Sequence, residues 1–129
     1  MVRVIMHGCN GRMGQVITEM IAKEAEMEIV AGVDVSDSVH NTYPVFKTLK
    51  DCDVEADVVI DFANAKAVDG LLDVCVERNL PCVLCTTGLS EEQLAHVKEA
   101  SGKVAILRSA NMSMGINLLM KLLKDAVPV

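Results

Sequence analysis

Three glycines between an apolar run and a helical pattern constrain this chain more than anything else in it. Val2, Val4, Ile5 and Met6 make a nearly continuous apolar run, the pattern of a parallel strand buried on both faces. Gly8-Cys9-Asn10-Gly11-Arg12-Met13-Gly14 follows, and then Val16, Ile17, Met20 and Ile21 recur at helical spacing. In that order Gly8 turns the chain sharply, Gly11 lets backbone amides approach phosphate oxygens, and Gly14 lets the helix sit close to the strand. The unpaired amides and positive dipole end of the helix then face an anion. Asp34, twenty residues after Gly14 at the end of a second apolar run, stands where an acid takes the hydroxyls of a ribose. The arrangement predicts a site for a dinucleotide pyrophosphate, and the competing reading is a glycine-rich turn that binds nothing.

The rest of the composition narrows the class. A chain of 129 residues fits one domain with a real core. Its apolar stretches are all broken by charges, so none reaches the roughly 18 to 20 uncharged residues of a membrane span. The opening runs straight into a strand without the basic region, apolar stretch and cleavage site of a signal peptide, so the expectation is a cytoplasmic protein with no membrane partner. A net charge of −6 with no basic run argues against nucleic acid, whose affinity comes mainly from Lys and Arg on phosphate. Five cysteines, an odd number, read as reduced thiols. Cys82 and Cys85 have C-x-x-C spacing, but along a buried strand with no second Cys/His pair they read as core, not as zinc ligands or a redox pair.

Strand and helix patterns alternate along the chain. The spacing predicts a helix over about 11–25, a strand over 27–33 and a polar loop over 34–42. A short edge strand follows over 43–46, where Pro44 cannot donate to a central ladder. A helical turn over 48–52, a strand within 56–62, a helix over 65–78 and a strand over 81–85 come next. Ser90-Glu91-Glu92-Gln93 has the form of a capping box for a helix ending at Gly102. A last strand over 104–107 and a helix over 115–126 complete the pattern. Strands joined by right-handed helical crossovers give an α/β fold, a doubly wound parallel sheet of Rossmann-like type with strand order 3-2-1-4-5.

Ligands of such sheets collect outside the carboxyl ends of the strands. The candidate cofactor-binding residues are therefore Gly8, Cys9, Asn10, Gly11, Arg12, Met13, Asp34, Phe62, Cys85, Thr86, Thr87, Ser109, Ala110, Asn111 and Met112. Arg12 can pair with a phosphate or be an ordinary surface residue. Thr86 and Thr87 can offer hydroxyls and amides to a nicotinamide ring or merely end a strand, and Phe62 can touch the cofactor or pack in the core. His7 reads as a neutral, hydrogen-bonded structural residue near the adenine-side turn, not as an acid. His40 and His96 have no constellation around them and read as solvent-facing. No metal site is expected.

Gly8-x-x-Gly11-Arg12-Met13-Gly14, Asp61-Phe62, Thr86-Thr87-Gly88 and above all Asn111-Met112-Ser113-Met114-Gly115-Ile116-Asn117 resemble the N-terminal domain of dihydrodipicolinate reductases (4-hydroxy-tetrahydrodipicolinate reductases) of bacterial lysine biosynthesis, across essentially the whole chain. The resemblance implies hydride transfer from NADH or NADPH to a cyclic dicarboxylate, leading to lysine or diaminopimelate. It also implies pyrophosphate at Gly8 to Met13, the adenosine ribose at Asp34, and the nicotinamide along Cys85 to Thr87 and Ser109 to Met112, with Thr87 near the substrate.

Two residues depart from the family pattern. Cys85 stands where glycine is usual, and Met112 where many relatives have an aromatic. The family's substrate domain, with its His-His-x-x-x-Lys segment and proposed general acid, has no counterpart in the sequence. The expectation is a cofactor-binding domain of a two-domain enzyme, with no catalytic residue in this chain, no turnover alone, and oligomerisation through the other domain. A stand-alone NAD-sensing module and the first domain of another amino-acid dehydrogenase are the alternatives. Asp34 would repel a 2′-phosphate and Val35-Ser36-Asp37 bring no cation to receive one, so the cofactor expectation leans to NADH.

Overall fold

The sheet is built as the alternation of patterns requires. The computed structural model describes residues 2–23, 27–35, 42–86 and 88–108. In chain order it has β1 (Val2–His7), α1 (Arg12–Ala22), β2 (Met27–Val33), β3 (Val45–Phe46), β4 (Val58–Asp61), α2 (Val68–Arg78), β5 (Cys82–Leu84), α3 (Glu91–Ser101) and β6 (Ile106–Arg108), with single 3₁₀ turns at Leu49–Asp51 and Ala65–Ala67. Every pairing is parallel, and the strand order is β3-β2-β1-β4-β5-β6. The expected order holds, with β6 added beyond β5.

Both faces of the sheet are covered, which is why its strands read as unbroken apolar runs. Val2, Val4 and Met6 of β1 and Val58 and Ile60 of β4 pack on Ile17 and Ile21 of α1. Ile5, Val59 and Leu84 face the other way, onto Leu71, Leu72 and Cys75 of α2 and Val97 and Ala100 of α3. Along β1 the residue after Met6 on that second face is His7, and this alternation alone sends its ring to the α2 side.

Some boundaries differ from the sequence reading for local reasons. Helix α1 closes at Lys23, whose amide returns to Met20, so it is shorter than the expected span. Pro44 lies outside β3 and contributes only its carbonyl, to the Gly32 amide at 2.9 Å. The Ser90–Gln93 capping box forms in both directions. Val104 is still part of the exit from α3, its amide bonded to the Ala100 carbonyl at 3.0 Å, so the last strand begins at Ile106. The expected helix over 115–126 lies outside the described residues. None of the described helices is long and apolar enough to cross a membrane.

All five cysteines are free and buried. Cys82 and Cys85 are three residues apart on one extended segment, so they point to opposite faces, Cys82 into the α2 side and Cys85 into the α1 side. That geometry makes the C-x-x-C spacing unusable for chelation or a disulfide. Burial pushes the Cys85 thiol up to about 12 and the Cys9 thiol up to about 11. Among the described residues no group of His, Cys, Asp and Glu could hold a metal ion.

Candidate functional site

The carboxyl ends of β1, β2 and β4 meet around the glycine turn. Gly8 has φ +86°, and a Cβ there would lie 2.8 Å from the Ala63 amide nitrogen and the Phe62 carbonyl carbon, so a side chain is excluded by conformation and by space. A Cβ at Gly14 would stand 2.1 Å from the Gly8 carbonyl oxygen. Both glycines are therefore required by the fold. Gly11 is not: its Cβ would meet only the Gly8 oxygen, at 3.5 Å, an ordinary contact. Gly11 is nevertheless exposed at the start of α1, where no side chain caps the helix and no acid sits in the first turn.

The turn is held by its neighbours. The Gly8 amide donates to the Val33 carbonyl at 2.7 Å, and the Asn10 amide to Asp34 Oδ2 at 2.9 Å. Asp34 thus already ties the end of β2 to the glycine turn. A cavity of about 260 Å³ opens against these groups, lined by His7, Gly8, Gly11, Asp34, Phe62 and Ala63 among others. It borders a larger one of about 720 Å³, which shares His7, Val35, Lys47 and Asn64 and continues between the Leu49–Asp51 turn and α2.

Of the candidate residues, the structure brings Gly8, Gly11, Asp34 and Phe62 to the cavity wall. Arg12, exposed, and Met13, half-buried, occupy the first turn of α1. Asn10 is buried in the turn, and Cys9 and Cys85 have their side chains in the core, so these cysteines offer a ligand only backbone. Thr86 is buried and donates its hydroxyl to Asp61 Oδ2 at 2.5 Å. Thr87, Ser109, Ala110, Asn111 and Met112, with His40, lie outside the described residues.

Sequence reasoning passed over two features of this region. Lys47 lines both cavities beside Val35, because parallel pairing sets Phe46 opposite Val33 and so delivers the next residue to the neighbourhood of Asp34. His7, Asp61 and Thr86 form a row along the ends of β1, β4 and β5. His7 Nδ1 lies 2.6 Å from Asp61 Oδ1, which also accepts from the Ala63 amide at 3.1 Å. Asp61 is fully buried, and a buried carboxylate is tolerated only when donors surround it. The expectation of a hydrogen-bonded His7 holds.

The reading of His96 needs correcting. It bridges α2 and α3, with Nδ1 2.7 Å from Asp69 Oδ1 and Nε2 3.1 Å from Asp73 Oδ1. Asp69 and Asp73 are one helical turn apart and present both carboxylates to one ring. The hydrogen bond to Asp69 raises the His96 pKa and lowers that of Asp69.

Comparison with known proteins agrees with this architecture. The 4-hydroxy-tetrahydrodipicolinate reductase of Caldanaerobacter subterraneus subsp. tengcongensis is 48% identical over 129 residues, all of this chain and 51% of that relative. The enzyme of the same name from Clostridium tetani is 46% identical over 125 residues, 97% of this chain and 49% of that one. The chain thus spans about half the length of the curated relatives it matches. The structure of dipicolinate-bound dihydrodipicolinate reductase from Paenisporosarcina sp. TG-14 superposes with a TM-score of 0.77 at 27% identity, covering 98% of this chain and 53% of that one. The family described as "Dihydrodipicolinate reductase, N-terminus" matches residues 2–112, and with most of its length inside that match the chain belongs to this family.

Proposed function

We propose that this domain binds a nicotinamide dinucleotide and serves as the cofactor-holding half of a reductase that transfers hydride to 4-hydroxy-tetrahydrodipicolinate, in cytoplasmic lysine and diaminopimelate biosynthesis. The observation that carries the reading is Gly11. The fold tolerates a Cβ there, yet the position is bare, faces the cavity with Asp34, and starts a helix with no capping side chain. A cradle that a side chain would fill, at the positive end of a helix, fits a pyrophosphate approached by backbone.

The bound dinucleotide would supply the hydride. The chain's own residues hold and orient it. Amides at the start of α1, with Arg12 beside them, face the pyrophosphate. Asp34 accepts from the adenosine ribose while one of its oxygens keeps the Asn10 amide. Phe62 lines the wall, and the segments 85–87 and 109–112 carry the nicotinamide end in this reading. NADH is taken at least as well as NADPH, because Asp34 stands against a 2′-phosphate. Lys47, beside Val35, supplies the cation that keeps NADPH acceptable.

The test is calorimetric titration of NADH into the wild-type chain and Gly11→Val. Binding by the wild type, with its loss in a variant of unchanged circular dichroism, is the expected result. Equal affinity in the two would overturn the assigned site.

A further inference from the structure

The ring of His7 has one nitrogen accounted for and one not. Nδ1 faces Asp61 Oδ1, and Asp61 accepts from every other group around it, the Ala63 amide and the Thr86 hydroxyl. A hydrogen on Nδ1 suits an oxygen that already accepts from the Ala63 amide, which leaves Nε2 as the ring nitrogen that can exchange a hydrogen bond with a ligand. No described group meets Nε2. Every buried side-chain nitrogen and oxygen among the described residues has a partner, so Nε2 opens on the space that the ring lines. The side chain is 6% exposed, and that space is the pair of cavities that His7 lines together with Val35 and Lys47, the smaller of them bounded also by Gly8 and Asp34.

A polar atom held rigidly by a buried carboxylate and aimed into a groove is arranged to meet a ligand. We infer that His7 is a ligand-contacting residue of this site: Nε2 exchanges a hydrogen bond with a ribose hydroxyl of the adenosine half of the dinucleotide, and Asp61 is the positioning residue that fixes the orientation of the ring. The inference rests on the dinucleotide reading and deepens it. The adenosine half is specified because the groove that His7 lines is shared with Asp34, Val35 and Lys47 at the ends of β2 and β3. Asp34 and His7 then offer two hydrogen-bonding groups from neighbouring strands to a diol.

His7→Asn separates this role from a structural one. The Asn amide nitrogen can stand near the place of Nδ1 and keep a donor for Asp61, while nothing reaches the place of Nε2. The probes are ADP-ribose, which carries the adenosine half, and reduced nicotinamide mononucleotide, which does not. His7→Asn is expected to bind ADP-ribose about threefold to tenfold more weakly, the range of one hydrogen bond, with its Tm and its response to the mononucleotide unchanged. In the wild type, the His7 Nε2 nitrogen resonance should shift on saturation with ADP-ribose and stay still with the mononucleotide. Undiminished ADP-ribose affinity in His7→Asn, or an unmoved Nε2 resonance at saturation, overturns the inference while leaving the cofactor site standing. Should the variant not fold, the resonance decides alone. A wild-type chain that binds neither NADH nor ADP-ribose sinks the dinucleotide reading itself, which is a different result.

Discussion

His7 and Asp61 face each other across the β1–β4 pair, in register and 2.6 Å apart, with the carboxylate fully buried. The pairing explains how an acidic side chain is buried at the carboxyl ends of the central strands of a doubly wound sheet. Its oxygens collect three donors, one from each of β1, the turn after β4 and the end of β5. The same three donors lock together the strand ends that form the groove floor, so the site is rigid before any ligand arrives.

Thr86→Val tests that account. The substitution keeps shape and removes the hydroxyl that donates to Asp61 Oδ2, leaving a buried carboxylate oxygen without that donor. A loss of about 1–3 kcal/mol in denaturant unfolding is expected. Unchanged stability would mean that the hydroxyl serves the ligand and not the fold.

Thiol chemistry should follow burial. All five cysteines are buried, and Cys9 and Cys85 are pushed up to about 11 and about 12. Because the thiolate is the reactive form, the native chain should give no fast-reacting thiol with a disulfide reagent near neutral pH, and all five should react in denaturant. A fast phase from the native state would contradict the packing described for the core.

Much of this architecture can be read from sequence because it is set by local rules. The glycine spacing, the period-2 and helical apolar patterns, and the Ser90–Gln93 box each act within a few residues. What stayed hidden depends on register between distant segments. His7 and Asp61 are 54 residues apart, and neither carries a mark of the other. Lys47 reaches the groove only because the two-residue β3 pairs with Gly32 and Val33, a contact that no periodicity announces. The i, i+4 spacing of Asp69 and Asp73 is visible in the sequence. That His96, on another helix, lies between them is a consequence of how α2 packs on α3.

Lys47 bears on cofactor choice. Lys47→Ala should weaken NADPH by about fivefold to tenfold, the scale of a charge-assisted contact to phosphate, and leave NADH within about twofold, since NADH lacks the charge that Lys47 would meet. Parallel titrations of the two cofactors check this. Equal losses for both would place Lys47 in the general wall of the groove and not at a 2′-phosphate.

The glycines should separate by role. Gly14→Ala forces a Cβ to 2.1 Å from the Gly8 carbonyl, a clash between backbone elements that neither a rotamer change nor a flexible side chain can relieve. Destabilisation of about 3 kcal/mol is expected, the upper range for overpacking. Gly11→Ala, with 3.5 Å to its nearest neighbour, should unfold within about 0.5 kcal/mol of wild type. Denaturant midpoints of the two variants decide between this division and a turn in which every glycine serves folding alike.

The contact of His96 with Asp69 and Asp73 makes the α2–α3 packing depend on pH. The His96 pKa is raised above its ordinary 6.5, first through the hydrogen bond to Asp69. A raised folded value means that the bridge contributes fully below the unfolded value and is lost as pH climbs through the folded one. Asp69 is lowered from its ordinary 3.8 by the same hydrogen bond, so its contribution is present above that value and lost as pH falls through the lowered one. The two conditions overlap in mildly acidic solution, and Asp73 adds a second carboxylate at the other ring nitrogen. The Tm difference between wild type and His96→Ala should therefore be largest between about pH 4.5 and 6 and shrink as pH rises beyond the ordinary histidine value of 6.5. High salt should reduce it throughout, since the Asp69 carboxylate is exposed and the ring only partly covered. A difference that grows toward alkaline pH would mean that the neutral ring, by packing alone, is what joins the two helices.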